Sequence, residues 1–112
     1  MDETTPKSGQ VSQKEDTLSE SYDAILAQLR DIMERKHHDY GPDNISALGV
    51  RGVFVRTWDK VNRLKMLVWE AREAQVKGES IEDTFLDLAN YAIIALLLLR
   101  GKWGQPWDKE SL

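Results

Sequence analysis

The chain has 112 residues, enough for one small domain but not for a second independent core. Its 41% hydrophobic and 30% charged residues describe an ordinary globular chain, and its net charge of -4 argues against a protein that coats nucleic acid by bulk charge, so no direct nucleic-acid partner is expected. Cysteine is absent, which excludes disulfides, thiolate metal sites and cysteine nucleophiles together.

Residues Met1 to Asp16 hold Thr, Ser, Gln, Pro, Lys and acids with almost nothing apolar. They cannot offset the entropy of being ordered and are expected to form a flexible tail ahead of a single domain over 17–112. No charged start, apolar stretch and small-residue cleavage site occurs there, so secretion is not signalled and a cytoplasmic location is expected. Thr17 followed by Glu20 fits a capping box and predicts a helix start. Leu18, Tyr22, Ile25, Leu29, Ile32 and Met33 then recur at steps of three and four, giving one apolar face. Gly41 and Pro42 end this helix, because glycine permits positive φ and proline cannot continue the ladder, and a loop is expected to about Gly52.

A second helix is predicted from Val53 to Gln75, with Phe54, Trp58, Val61, Leu64, Leu67, Val68 and Ala71 as its buried stripe and Lys77 and Gly78 closing it. Ser80 supplies the N-cap of a third helix, Glu82 and Asp83 occupy its first turn, and Arg100 and Gly101 end it. Its apolar run, Tyr91 to Leu99, is short of the roughly 20 residues needed to span a bilayer, so no membrane partner is expected. Trp103 and Trp107 lie in the short segment that follows, where covering a core or a subunit seam is favoured over stacking on a base. The fold class is therefore all-α, a bundle of three main helices plus a short C-terminal segment. Because the third helix is apolar on nearly every side, the bundle is expected to be completed by homo-oligomerisation to a dimer or tetramer.

Polar residues inside that third helix are the most informative feature. Asp83, Asp87 and Asn90 follow i, i+4, i+7 spacing and share a face. A carboxylate among Leu86, Leu88 and Ala89 is costly to bury without a positive partner. Either a basic side chain or a metal ion could provide it, and oxygen-only ligands favour Mg²⁺ or Mn²⁺. Arg56, Lys60 and Arg63 repeat the same spacing on the second helix, with Asp59 beside them, and Lys36, Asp39 and Tyr40 form a third polar group. His37 and His38 point about 100° apart on a helix, too far to share one metal readily, and are expected at the surface.

Three segments together carry a resemblance: Lys36-His37-His38-Asp39-Tyr40-Gly41, the stretch Val53-Phe54-Val55-Arg56-Thr57-Trp58-Asp59-Lys60-Val61-Asn62-Arg63-Leu64, and Glu82-Asp83-Thr84-Phe85-Leu86-Asp87-Leu88-Ala89-Asn90-Tyr91-Ala92. The chain resembles the nucleotide modification associated domain 1 family of phages and bacteria, which is similar to the MazG-like all-α nucleoside triphosphate pyrophosphohydrolases. In those enzymes a Glu-Glu-x-x-Glu helix and a Glu-x-x-Asp helix bind Mg²⁺ that holds the triphosphate. Asp87 matches the final acid; its companion falls at Thr84, one position after Asp83, and Lys60 and Arg63 bring positive charge to the first motif. The resemblance implies Mg²⁺-dependent hydrolysis of a (deoxy)nucleoside triphosphate to monophosphate and pyrophosphate, with Asp83 and Asp87 as metal ligands. Asp59 is then the first candidate for general base, Lys60 and Arg63 neutralise charge on the departing pyrophosphate, and Lys36, Asp39, Tyr40, Arg56 and Asn90 hold the substrate. The alternative is a non-catalytic nucleotide-binding or helical assembly subunit.

Overall fold

The computed structural model describes residues 15–75 and 80–108, so most of the expected flexible tail and the expected Lys77-Gly78 helix stop lie outside the described residues. Helix α1 spans Leu18–Tyr40 and begins as its sequence requires. The Thr17 hydroxyl accepts from the Glu20 amide at 3.0 Å, while the Thr17 amide donates to Glu20 Oε1 at 2.8 Å. Gly41, at φ 68°, stops the helix in a conformation that other residues adopt only at a cost. Of the expected apolar stripe only Leu29 and Met33 are buried; Leu18, Tyr22 and Ile25 stay exposed.

The connection is shorter than the sequence suggests. A one-turn helix, α2, occupies Asp43–Ser46 and buries Ile45, and α3 starts at Gly49 instead of Val53. Helix α3 covers Gly49–Leu64 and widens into a π-helical turn over Lys65–Trp69, where the Glu70 amide donates to the Lys65 carbonyl at 2.9 Å. Ala71 then takes positive φ, 55°, so the helix ends short of Gln75. The buried face also differs. Val53 and Leu67 face inward, with Arg56 and Lys60 half-buried between them, whereas Phe54, Trp58, Val61 and Val68 are exposed. Long basic side chains reconcile this with an apolar interior, since their stems can lie along a neighbouring helix while their charged heads reach a partner.

Helix α4 spans Ile81–Leu99 and opens with a second capping box, Ser80 with Asp83. It packs chiefly on α3, and more sparsely on α1. Val53 clusters with Ile94, while Lys60 pairs with Asp87, so α3 and α4 run antiparallel. Met33, Ile45, Val53 and Ile94 form the core, ringed by Tyr91, Trp103 and Trp107. The chain turns at Gly101, and the Trp103 indole Nε1 donates to the Pro42 carbonyl at 3.0 Å, fastening the C-terminal segment over the α1–α2 corner as a cover. The described residues are helical throughout their regular structure, with three long helices and one short; none of these helices is long and apolar enough to cross a membrane.

Candidate functional site

Asp87 sits in the second turn of α4, and both its oxygens are taken by lysines from other helices. Lys60 Nζ of α3 lies 3.0 Å from Oδ2, and Lys36 Nζ of α1 lies 3.4 Å from Oδ1. The Asp87 and Lys60 side chains are only 24% and 22% exposed, so their attraction is poorly screened by water. Lys36 is 57% exposed, and its contact is weaker on that ground.

This ion-pair cluster borders a cavity of about 250 Å³ between α1, α2, α3 and α4. Lys36, Tyr40, Arg56, Asp87 and Asn90, all expected to serve the site, line it together. Lys60 reaches it through Asp87. Arg56 makes no ion pair among the described residues, so it adds a third cation to a cavity whose one carboxylate is already paired by two lysines.

The other expected site residues lie elsewhere. Asp39 is exposed and contacts His38, with Oδ1 at 3.2 Å from Nδ1. Asp59 is exposed, and neither it nor Arg63 lines the cavity. Asp83 Oδ2 accepts from the Ser80 amide at 3.2 Å and from the Ser80 hydroxyl at 2.8 Å, so this carboxylate starts the helix. Among the described residues no group of three or more His, Asp or Glu side chains is placed to hold a metal ion.

Sequence reasoning missed His37. It is half-buried, not a surface residue, stacking edge-on to Trp103 with centroids 5.5 Å apart and lying 5.9 Å from Trp107. Its place was readable: Leu29, Met33 and His37 recur at steps of four, on the face of α1 that is buried. Asn44 and Tyr91, which also line the cavity, carried no sequence signal beyond their helix positions.

The family model described as nucleotide modification associated domain 1 matches residues 36–99, more than half of the chain, including the last turn of α1 and all of α2, α3 and α4. The chain belongs to that family. No curated protein and no solved structure matches it.

Proposed function

We propose that this protein binds a nucleotide, holding its phosphates at the Lys36–Arg56 side of the cavity. The observation that carries the reading is the excess of cations: Lys36 and Arg56 line the cavity, and its single carboxylate, Asp87, is already paired by Lys36 and Lys60. A phosphate supplies the missing negative charge, and Arg56 offers a planar fork suited to two of its oxygens. The family's description as nucleotide modification associated is consistent with such a ligand.

Hydrolysis of a nucleoside triphosphate to monophosphate and pyrophosphate is the second reading. It is favoured by Asp59, an exposed carboxylate one residue from Lys60 that has no ion pair among the described residues, and by the MazG-like spacing of Asp87. The residues of one chain do not fit Mg²⁺ or Mn²⁺, however: Asp83 is engaged by Ser80, and an ammonium group already occupies each oxygen of Asp87. No step of the reaction is therefore derived through a metal.

The apolar row Phe54, Trp58 and Val61 on α3 and the exposed Phe85, Leu96 and Leu99 on α4 support a homo-oligomer in which a second copy covers them. Light scattering tests this; a monomer at micromolar concentration would overturn it.

The decisive experiment incubates the purified chain with each common nucleoside triphosphate, with and without Mg²⁺ or Mn²⁺. Binding is followed by calorimetry and products by chromatography. Binding without turnover supports the main reading, monophosphate plus pyrophosphate supports the second, and absence of both binding and turnover defeats the two together.

A further inference from the structure

A second cavity, of about 360 Å³, adjoins the first and is lined by Leu29, Arg30, Trp107 and neighbouring residues of α4 and the C-terminal segment. Met33, His37, Asn90 and Trp103 line both chambers and so form their common wall. The two chambers differ in chemistry. The first holds Lys36, Arg56 and Asp87, whereas the second, although Lys102 and Arg30 also line it, is floored by leucines and methionine and closed by indoles, with the Arg30 guanidinium 5.1 Å above the Trp107 ring.

The common wall contains two buried polar atoms without a hydrogen-bond partner, His37 Nδ1 and Asn90 Oδ1. Asn90 is more than nine-tenths buried, and its Nδ2 donates to the Leu29 carbonyl at 3.1 Å. That bond fixes the amide, because only the nitrogen can face a carbonyl, and leaves Oδ1 as an acceptor. Buried polar atoms are nearly always paired, and both orphans are closed off from water as the side chains stand, so a ligand completes their bonding once the side chains of this wall shift to admit it.

We propose that the two chambers form one divided nucleotide site, with phosphate in the charged chamber and the nucleobase in the aromatic one, where Asn90 Oδ1 and His37 Nδ1 recognise the edge of the base. This rests on the phosphate-binding reading above and adds the part of the ligand it leaves unassigned. The first chamber falls below the roughly 300 to 1,000 Å³ of ordinary small-molecule sites and the second lies near its lower end, so a ligand with both a base and a phosphate chain calls on both. A base is flat, stacks against indole and imidazole faces, and carries an N–H beside a ring or carbonyl acceptor. The N–H donates to Asn90 Oδ1, and the neighbouring acceptor accepts a hydrogen bond from the Nδ1–H tautomer of His37. His37 and Asn90 are thus specificity-determining residues, while Lys36 and Arg56 bind what all nucleotides share.

The test compares ligands on the full chain by calorimetry. Inorganic tripolyphosphate carries the phosphates without a base, and a panel of nucleoside triphosphates adds one. At least one member of the panel should bind ten-fold or more tighter than tripolyphosphate. Methylating the edge N–H of its base should lose that gain, since a site built around a hydrogen bond rejects the analogue that cannot make it. His37→Phe, which keeps a ring against Trp103, should weaken the nucleotide ten-fold or more and shift tripolyphosphate by less than two-fold. Asn90→Ser provides a second variant with a smaller polar group and the same expected pattern. Equal affinity for tripolyphosphate and every nucleotide, or variants that weaken both ligands alike, would overturn the divided site while leaving phosphate binding intact. Failure of the wild-type chain to bind either ligand would overturn both readings.

Discussion

The first and second turns of α4 each carry an aspartate on the same face, four residues apart, yet the two carboxylates do different work. Asp83 turns back on its own helix, accepting from the Ser80 amide and hydroxyl. Asp87 reaches out to two other helices through Lys60 and Lys36. Asp83 therefore contributes locally, through a helix start, whereas Asp87 joins three elements and sets the charge of a cavity. Spacing reveals that two groups share a face, but the neighbours of each group decide its role.

The largest effect is expected for Asp87→Asn. Removing the charge leaves the half-buried Lys60 ammonium without its counter-ion, and hydrogen bonds to charged groups are worth roughly 1.5–3 kcal/mol. A loss of about 2 kcal/mol lowers the melting temperature by roughly 10 °C in a domain of this size. The loss should be the same with and without Mg²⁺. Adding Lys60→Met to Asp87→Asn should recover much of it, because replacing both partners removes the stranded charge. A variant as stable as the wild type without metal, but lacking a Mg²⁺-dependent rise in melting temperature, would falsify the lysine-pair assignment and restore Asp87 as a metal ligand.

Asp83→Ala should cost less, about 1 kcal/mol, typical of a lost cap, and Ser80→Ala should match it within a few tenths. Each change removes one backbone bond of its own, and the two share only the bond from the Ser80 hydroxyl to Asp83, so the double variant should fall short of the summed losses by about that one bond. Thermal melts of the three variants decide the matter. Strictly additive losses would mean that the shared hydroxyl–carboxylate bond contributes nothing, whereas a loss at Asp83 far above that at Ser80 would give Asp83 a second task beyond the cap and blur the contrast with Asp87.

Much of this was legible in the chain itself. The Thr17 capping box, the Gly41 stop and the Ser80 N-cap that starts α4 follow from short-range rules whose physics is complete within four residues, whereas the return bond from Asp83 to Ser80 is seen only in the structure. The pairing of the Asp87 and Lys60 stripes was also foreseeable, because opposite charges repeat at one spacing. What could not be read was the face of α3. Periodicity favours the row Phe54, Trp58 and Val61, but the fold turns inward the row that contains Val53, Arg56 and Lys60, since that row alone answers the carboxylate on α4. The end of α3 was hidden for a similar reason: nothing in Lys65–Trp69 announces a wider helical turn. His37 is hard to read because its neighbour His38 has the same side chain on a different, exposed face of α1.

Smaller effects on stability, but larger ones on binding, are expected on the cationic side of the cavity. Lys36→Met should change stability by no more than about 0.5 kcal/mol, as most exposed ion pairs do. Arg56→Met, which removes a cation with no ion pair among the described residues, should be similarly mild. Each should nonetheless weaken tripolyphosphate at least several-fold and flatten the dependence of binding on salt, as measured by calorimetry at two ionic strengths. If Lys36→Met instead destabilised the chain as severely as Asp87→Asn, Asp87 would be a purely structural anchor and the cavity would lose its claim to an anion.

The smallest effect is the cleanest control on what a capping acid does. Glu20 stands at the start of α1 as Asp83 does at the start of α4, and it is fully exposed, so burial plays no part. The Thr17 amide, and after it the Thr17 hydroxyl, hold its carboxyl below the ordinary value of 4.5. A depressed folded-state value has one sign. The ionised form contributes stability that is present above about pH 4.5 and is lost as pH falls through the lower, folded value, because the unfolded chain takes up the proton first. In Glu20→Gln the amide oxygen can still accept from Thr17 but no longer titrates. Helical circular dichroism of the wild type and the variant, followed from pH 6 to 2, should therefore diverge slightly near neutrality and converge below the folded value. Curves that stayed parallel over the whole range would show that the cap works by shape alone and owes nothing to charge.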